Sequence, residues 1–123
     1  MVAEKYRDLH QRFEDWASSI SDLTPELTFK DMFGGVLIYT AGKPMGIFWG
    51  DQIALKLPED GQAGIINEGA NDPDYTPWTP VGKQYVAVPP SVMNDEKKIT
   101  YWIEDSIRYV QTLMPAKKRK RSR

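Results

Sequence analysis

Val36-Leu37-Ile38-Tyr39-Thr40-Ala41-Gly42-Lys43-Pro44-Met45-Gly46-Ile47-Phe48-Trp49 is the stretch that decides the fold. Its first five residues are β-branched, aliphatic or aromatic, types that suit a pleated and half-buried surface. Ala41-Gly42-Lys43 then places a glycine where a reversing chain needs positive φ. Met45 to Trp49 returns as a second apolar run, so the pair reads as an antiparallel hairpin. Gly50-Asp51 begins another reversal, after which Ile53, Leu55 and Leu57 alternate with Gln52, Ala54 and Lys56. That alternation marks a strand with one buried and one wet face. On the N-terminal side, Leu27 to Phe33 forms a preceding strand that Gly34-Gly35 interrupts. Three or four antiparallel strands in meander order follow.

Outside the hairpin the period changes. From Val2 to Ile20 the apolar residues Val2, Tyr6, Leu9, Phe13, Trp16 and Ile20 fall at steps of three or four, one stripe on a helix. Ser21-Asp22 and Thr24-Pro25 stop it, because the residue before proline is pushed out of the helical region. Pro58-Glu59-Asp60 starts a short second helix reaching Glu68, with two acids at the positive end of its dipole. Gly69 to Pro80 is rich in turn formers, with a short strand around Tyr75 to Thr79. Val81 to Val88 reads as a strand closed by Pro89-Pro90. A last helical pattern runs to Met114, carrying Ile99, Trp102, Ile103, Ser106, Val110 and Leu113 on one side, and Pro115 ends it. The sum is an α+β domain of two layers, an antiparallel sheet of about five strands packed against N- and C-terminal helices.

The 123 residues suit one domain, residues 1–115, followed by a basic tail, 116–123, that is expected to be disordered because it carries no apolar residue able to order it. The absence of cysteine removes disulfides, thiolate nucleophiles and Cys-ligated zinc together, and points to a reducing cytoplasm. The charged start of the chain lacks a signal-like apolar segment, and no apolar run approaches the ~20 residues that cross a bilayer. Lys117, Lys118, Arg119, Lys120, Arg121 and Arg123 supply six of the sixteen basic residues. Without them ten basic residues face seventeen acidic ones, a balance of −7. An acidic body is not a broad nucleic-acid platform, so any attraction to polyanions is expected in the tail, where it would be weak, nonspecific and salt-sensitive.

Met32-Phe33-Gly34-Gly35, then Tyr39, Gly42-Lys43-Pro44, Leu55-Lys56-Leu57, Tyr85 with Val88-Pro89, and Trp102 in the last helix together resemble the TfoX N-terminal domain family over roughly residues 10 to 113. The resemblance implies a secretion-chaperone-like arrangement of antiparallel sheet and helices, without a catalytic motif. It also implies a bacterial, regulatory theme, since full-length members regulate competence genes through protein contacts with the transcription machinery and carry a second, C-terminal domain. Here residues 116–123 follow instead, so what carries over is the fold and a regulatory or adaptor-like role.

The candidate sites are few. His10, the only histidine, borders the first apolar stripe and reads as structural; a Ser-His-Asp set built with Ser91 or Ser106 lacks any nucleophile elbow. Asp72/Asp74 and Asp95/Glu96 read as solvated turn and cap residues rather than metal ligands. Gly34-Gly35 has no helix after it and Gly42-Lys43 lacks the rest of a phosphate loop, so both read as backbone features. No catalytic, cofactor or metal residue is expected. Tyr75 and Trp78 either fold back as a lid or stand out as a contact patch. Because Val36 and Ile38 alternate with Leu37 and Tyr39, and Met45, Ile47 and Trp49 flank Phe48, both faces of the hairpin are apolar. The face without helices is expected to meet the second helix, the Tyr75–Trp78 loop, a second copy in a homodimer, or a partner protein, with Phe48 as its probe.

Overall fold

The computed structural model describes residues 4–20, 26–32, 34–79 and 82–122, and their side chains except those of 79, 82–83 and 113–122. A 3-10 turn, Glu4–Tyr6, leads into α1 (Arg7–Ser18); then come β1 (Leu27–Met32), β2 (Gly35–Thr40), β3 (Lys43–Trp49), β4 (Gln52–Lys56), α2 (Glu59–Glu68), β5 (Trp78–Thr79), β6 (Gly82–Ala87), α3 (Pro90–Met93) and α4 (Glu96–Ser122). All strands pair antiparallel in one six-stranded sheet of order β1-β2-β3-β4-β6-β5. The expected meander, second helix, late strands and long last helix are all present. The late strand pair is shorter than the sequence suggests, with β5 confined to Trp78–Thr79, and Phe33, Val81 and the Ser21–Pro25 stop lie outside the described residues.

One face of the sheet carries the core. Phe13, Trp16 and Ile20 from the N-terminal helix region, Ile65 from α2, Val92 from α3 and Ile99, Trp102, Ile103, Ile107 and Val110 from α4 bury against Val36, Ile38, Phe48, Ile53, Leu55 and Val86. At roughly 1.5–3 kcal/mol for each fully buried aliphatic or Phe side chain, this layer is the main source of stability. Tyr6, Phe13, Phe29 and Phe48 add ring pairs at centroid distances of 5.9–6.1 Å.

Phe48 belongs to this core, fully buried opposite Val36, which corrects its assignment as a contact residue. The reason is a bulge in β3. Ile38 faces Gly46 and Tyr39 faces Pro44, so Met45 is the extra residue. The bulge returns Met45 to the buried side beside Gly46 and Phe48, and leaves Ile47 and Trp49 on the other. Alternation alone does not say which set of a doubly apolar strand faces the helices.

Pro115 does not end the last helix, whose backbone continues to Ser122. A proline inside a helix removes one i→i−4 bond and crowds the preceding turn, a penalty of about 3 kcal/mol that need not break the backbone course. No described helix is long and apolar enough to cross a membrane.

Candidate functional site

The glycine motif is explained by two different backbone demands. Gly34 has φ +83°, with nothing near the place a side chain would occupy. Gly35 has no such torsion, yet a Cβ there would stand 2.6 Å from the Phe48 carbonyl oxygen and 3.1 Å from the Trp49 indole. The indole therefore lies across β2 where Gly35 leaves room. Tyr6, almost fully buried, ties the motif to the next turn: its hydroxyl donates to the Gly34 carbonyl at 2.9 Å and accepts from the Gly50 amide at 3.1 Å. Gly42 and Gly50, at φ +82° and +62°, turn the two hairpins.

Among the described side chains of α4, Ser106 is the buried polar one with partners on the sheet. Its hydroxyl lies 2.8 Å from the Lys56 carbonyl and 3.1 Å from that of Met45, the bulge residue, and its single proton serves one of them at a time. Ser91 donates through its hydroxyl to Glu68 and through its amide to Asp72. His10 stacks on Phe29 at 4.0 Å, with Nε2 3.2 Å from Glu14 in ion-pair range but without hydrogen-bond geometry. The histidine and the two serines thus have separate partners. Asp72 accepts from the first turn of α3 and Asp95 from the Lys98 amide at the start of α4, so these acids act as caps. Among the described residues no group of three metal-ligating side chains comes together.

Tyr75 folds back. Its ring packs on Gly69, its hydroxyl donates to the Ala87 carbonyl at 2.6 Å, and burial beside Asp72 pushes its pKa up to about 12. Trp78, three residues on, is 47% exposed. It forms one wall of a groove of about 490 Å³ whose other apolar residues are Leu57, Ala63, Ile66 and Tyr109, with Glu59, Gln62 and Gln84 as polar margin. A larger, shallow depression near the start of α4 is bounded by Asp95, Glu96 and Glu104 with exposed Tyr101.

The second surface is the sheet face opposite the helices. Ile47, Ala54 and Tyr85 are buried in a separate small cluster with the partly buried Leu37 and Trp49, composed among the described residues of strand residues alone. Ile65 of α2 joins the main core instead, and Tyr75 bonds the carbonyl of Ala87, the residue opposite Ala54. Lys30 stands opposite Leu37, and Lys56 opposite Tyr85 with its ammonium 5.9 Å from the ring centre. Burial first, and Tyr39 second, raise the Tyr85 pKa, so the two phenols lie within electrostatic reach of each other. Sequence reading found this doubly apolar hairpin but missed Tyr6, whose partners are remote in sequence. The basic residues Lys117 to Arg121 continue the α4 backbone, and Arg123 lies outside the described residues.

A sequence model of the TfoX N-terminal domain matches residues 19–110. No curated protein and no solved structure matches the chain.

Proposed function

Because the chain belongs to the TfoX N-terminal domain family, we propose that it is a regulatory, adaptor-like module that works by binding another protein, with the Trp78 groove as its contact surface. The observation that carries this reading is the half-exposed indole of Trp78 beside an apolar floor. Exposed tryptophans in apolar depressions are the residues on which interface energy concentrates, because they bury large area with little loss of rotamer freedom. The groove sits between α2 and the edge strand β5, and Glu59, Gln62 and Gln84 supply hydrogen-bonding groups at its rim. Burial of Tyr75 fixes the loop that presents Trp78, so the partner meets a pre-formed surface.

The test compares wild-type protein with Trp78→Ala as bait for cellular proteins, with circular dichroism confirming that both are folded. A partner captured by the wild type should be lost by the variant, with affinity down by more than about tenfold. Identical capture by both would remove the groove from this role. Light scattering across micromolar concentrations asks in parallel whether a second copy of the chain is the partner.

A further inference from the structure

The groove beside Trp78 is apolar along its floor and acidic at one end. Glu59 stands at its margin and Tyr109 in its wall. Asp105 lies one turn before Tyr109 on α4, on the same side of the helix. Its carboxylate comes so near the start of α2 that a Cβ on Gly61 would stand 3.3 Å from Oδ2. Asp60, next to Glu59, is within electrostatic reach of that carboxylate, as is Glu104. Helix α2 holds Glu59, Asp60 and Glu68 and no basic residue.

The cations nearby are engaged elsewhere. Lys98 pairs with Glu68 and Arg108 with Glu104, while the Lys56 ammonium stands by the Tyr85 ring. Among the described residues, Glu59, Asp60 and Asp105 have no ion pair. Glu59 and Asp60 also suit the positive end of the α2 dipole, which accounts for them as helix-starting residues. Asp105 has no such account. It lies well inside α4 and partly buried, where burial and then its acidic neighbours raise its pKa. A carboxylate in that position weakens the fold at neutral pH, and a cation brought by an occupant of the groove would relieve it.

Resting on the reading of this groove as a protein-binding site, we propose that its occupant is a cationic peptide segment of the partner. A bulky apolar side chain lies on Trp78 and the groove floor, and a lysine or arginine beside it meets Glu59, Asp60 and Asp105. The apolar contact supplies most of the affinity, and the acids select the charge of the partner. A guanidinium or ammonium among these carboxylates replaces like-charge repulsion by attraction, whereas an acidic segment would add to the repulsion.

The experiment measures anisotropy of labelled synthetic peptides with the full chain, identical in their leucines and carrying lysine, glutamine or glutamate at the other positions. The leucine-lysine peptide should bind more than about tenfold tighter than the leucine-glutamate one, and added salt should narrow the gap. Trp78→Ala should weaken the lysine peptide by more than about tenfold. Asp105→Asn, and Glu59→Gln on an exposed side chain, should each weaken it severalfold and leave the glutamine peptide unchanged. Glu96→Gln, an exposed acid of the shallow depression at the start of α4, should change nothing. Equal binding of the three peptides, lost with Trp78→Ala, would overturn the charge assignment and leave the groove as a binding site. Weakening by Asp105→Asn without any by Trp78→Ala would overturn the proposal and put the peptide on the acids outside the groove. A loss with Glu96→Gln as large as with Asp105→Asn would overturn it in favour of general attraction to an acidic body. A lysine peptide that does not bind the wild type would overturn it outright.

Discussion

The two faces of the sheet are built from the same strands and the same kinds of residue, yet they are different surfaces. Phe48 and Trp49 are neighbours in β3. Phe48 is fully enclosed by α1 and the aromatic residues around it, whereas Trp49 packs, among the described residues, on a cluster of other strand residues. Apolar composition therefore marks both faces, and what separates them is the helical layer that arrives from elsewhere in the chain. A residue's type says that it favours burial; its register says what will bury it.

The sharpest way to break this comparison is to truncate both neighbours. Phe48→Ala should cost about 3–5 kcal/mol, the range for a large aromatic removed from a closed core. Trp49→Ala should cost only about 1–2 kcal/mol, because the removed ring already touches water on one side. Equal losses in urea melts of the two variants would mean that the reverse face is as enclosed as the core. Next in size is the glycine pair that supports the same boundary. Gly35→Ala forces a Cβ against the Phe48 carbonyl and should cost about 2–3 kcal/mol. Gly34→Ala meets no atom and costs only its left-handed torsion, about 1–2 kcal/mol. A reversal of that order in thermal denaturation would exchange the two explanations.

Tyr6→Phe keeps the ring in the core and removes only its hydroxyl, so the Gly34 carbonyl and Gly50 amide lose their shared partner. A loss of about 1–2 kcal/mol is expected in denaturant titration. Thr40 works in the opposite direction. Its hydroxyl is buried without a hydrogen-bond partner, and the isosteric Thr40→Val should raise the melting midpoint, by an amount corresponding to up to about 1 kcal/mol. An unchanged or lowered midpoint would show that the hydroxyl is satisfied after all. The smallest effect concerns pH. Burial, then Asp60 and Glu104, raise the Asp105 pKa in the folded chain, so the folded state holds this proton more firmly than the unfolded one. The stabilising share is complete below the unfolded aspartate pKa, about 3.9, and is lost as pH rises through the folded pKa. Asp105→Asn should therefore gain stability at neutral pH relative to wild type, with the difference shrinking in acid; a gain independent of pH would point to hydrogen bonding instead.

Much of the sheet was legible because period-2 alternation in Ile53, Leu55 and Leu57 and glycines at the turns are local signals. The bulge was not, since one extra residue in β3 leaves the composition of both faces apolar and changes only which side each residue takes. Helix α3 is four residues long, too short for any periodicity to register. Pro89, in the quoted motif, sits at its N-cap, and Pro90 occupies the first helical position. Of the residues expected at contacts, Trp78 is exposed, as its surroundings of turn formers suggested, while Phe48 was placed on the wrong face. Tyr6 could not have been found from local pattern, because its partners are 28 and 44 residues away and are backbone groups.

The extent of the family match gives that last contact a practical meaning. The matched segment begins at Ser19, so Tyr6, Phe13 and Trp16 all lie upstream of it. Yet they form part of the wall against which Val36 and Phe48 are buried, and Tyr6 holds two turns of the sheet. The segment that can be aligned is thus smaller than the segment that can fold. A fragment cut at residues 19–110 would present the aromatic side of its own sheet to water, and its expected behaviour is aggregation rather than a smaller working domain.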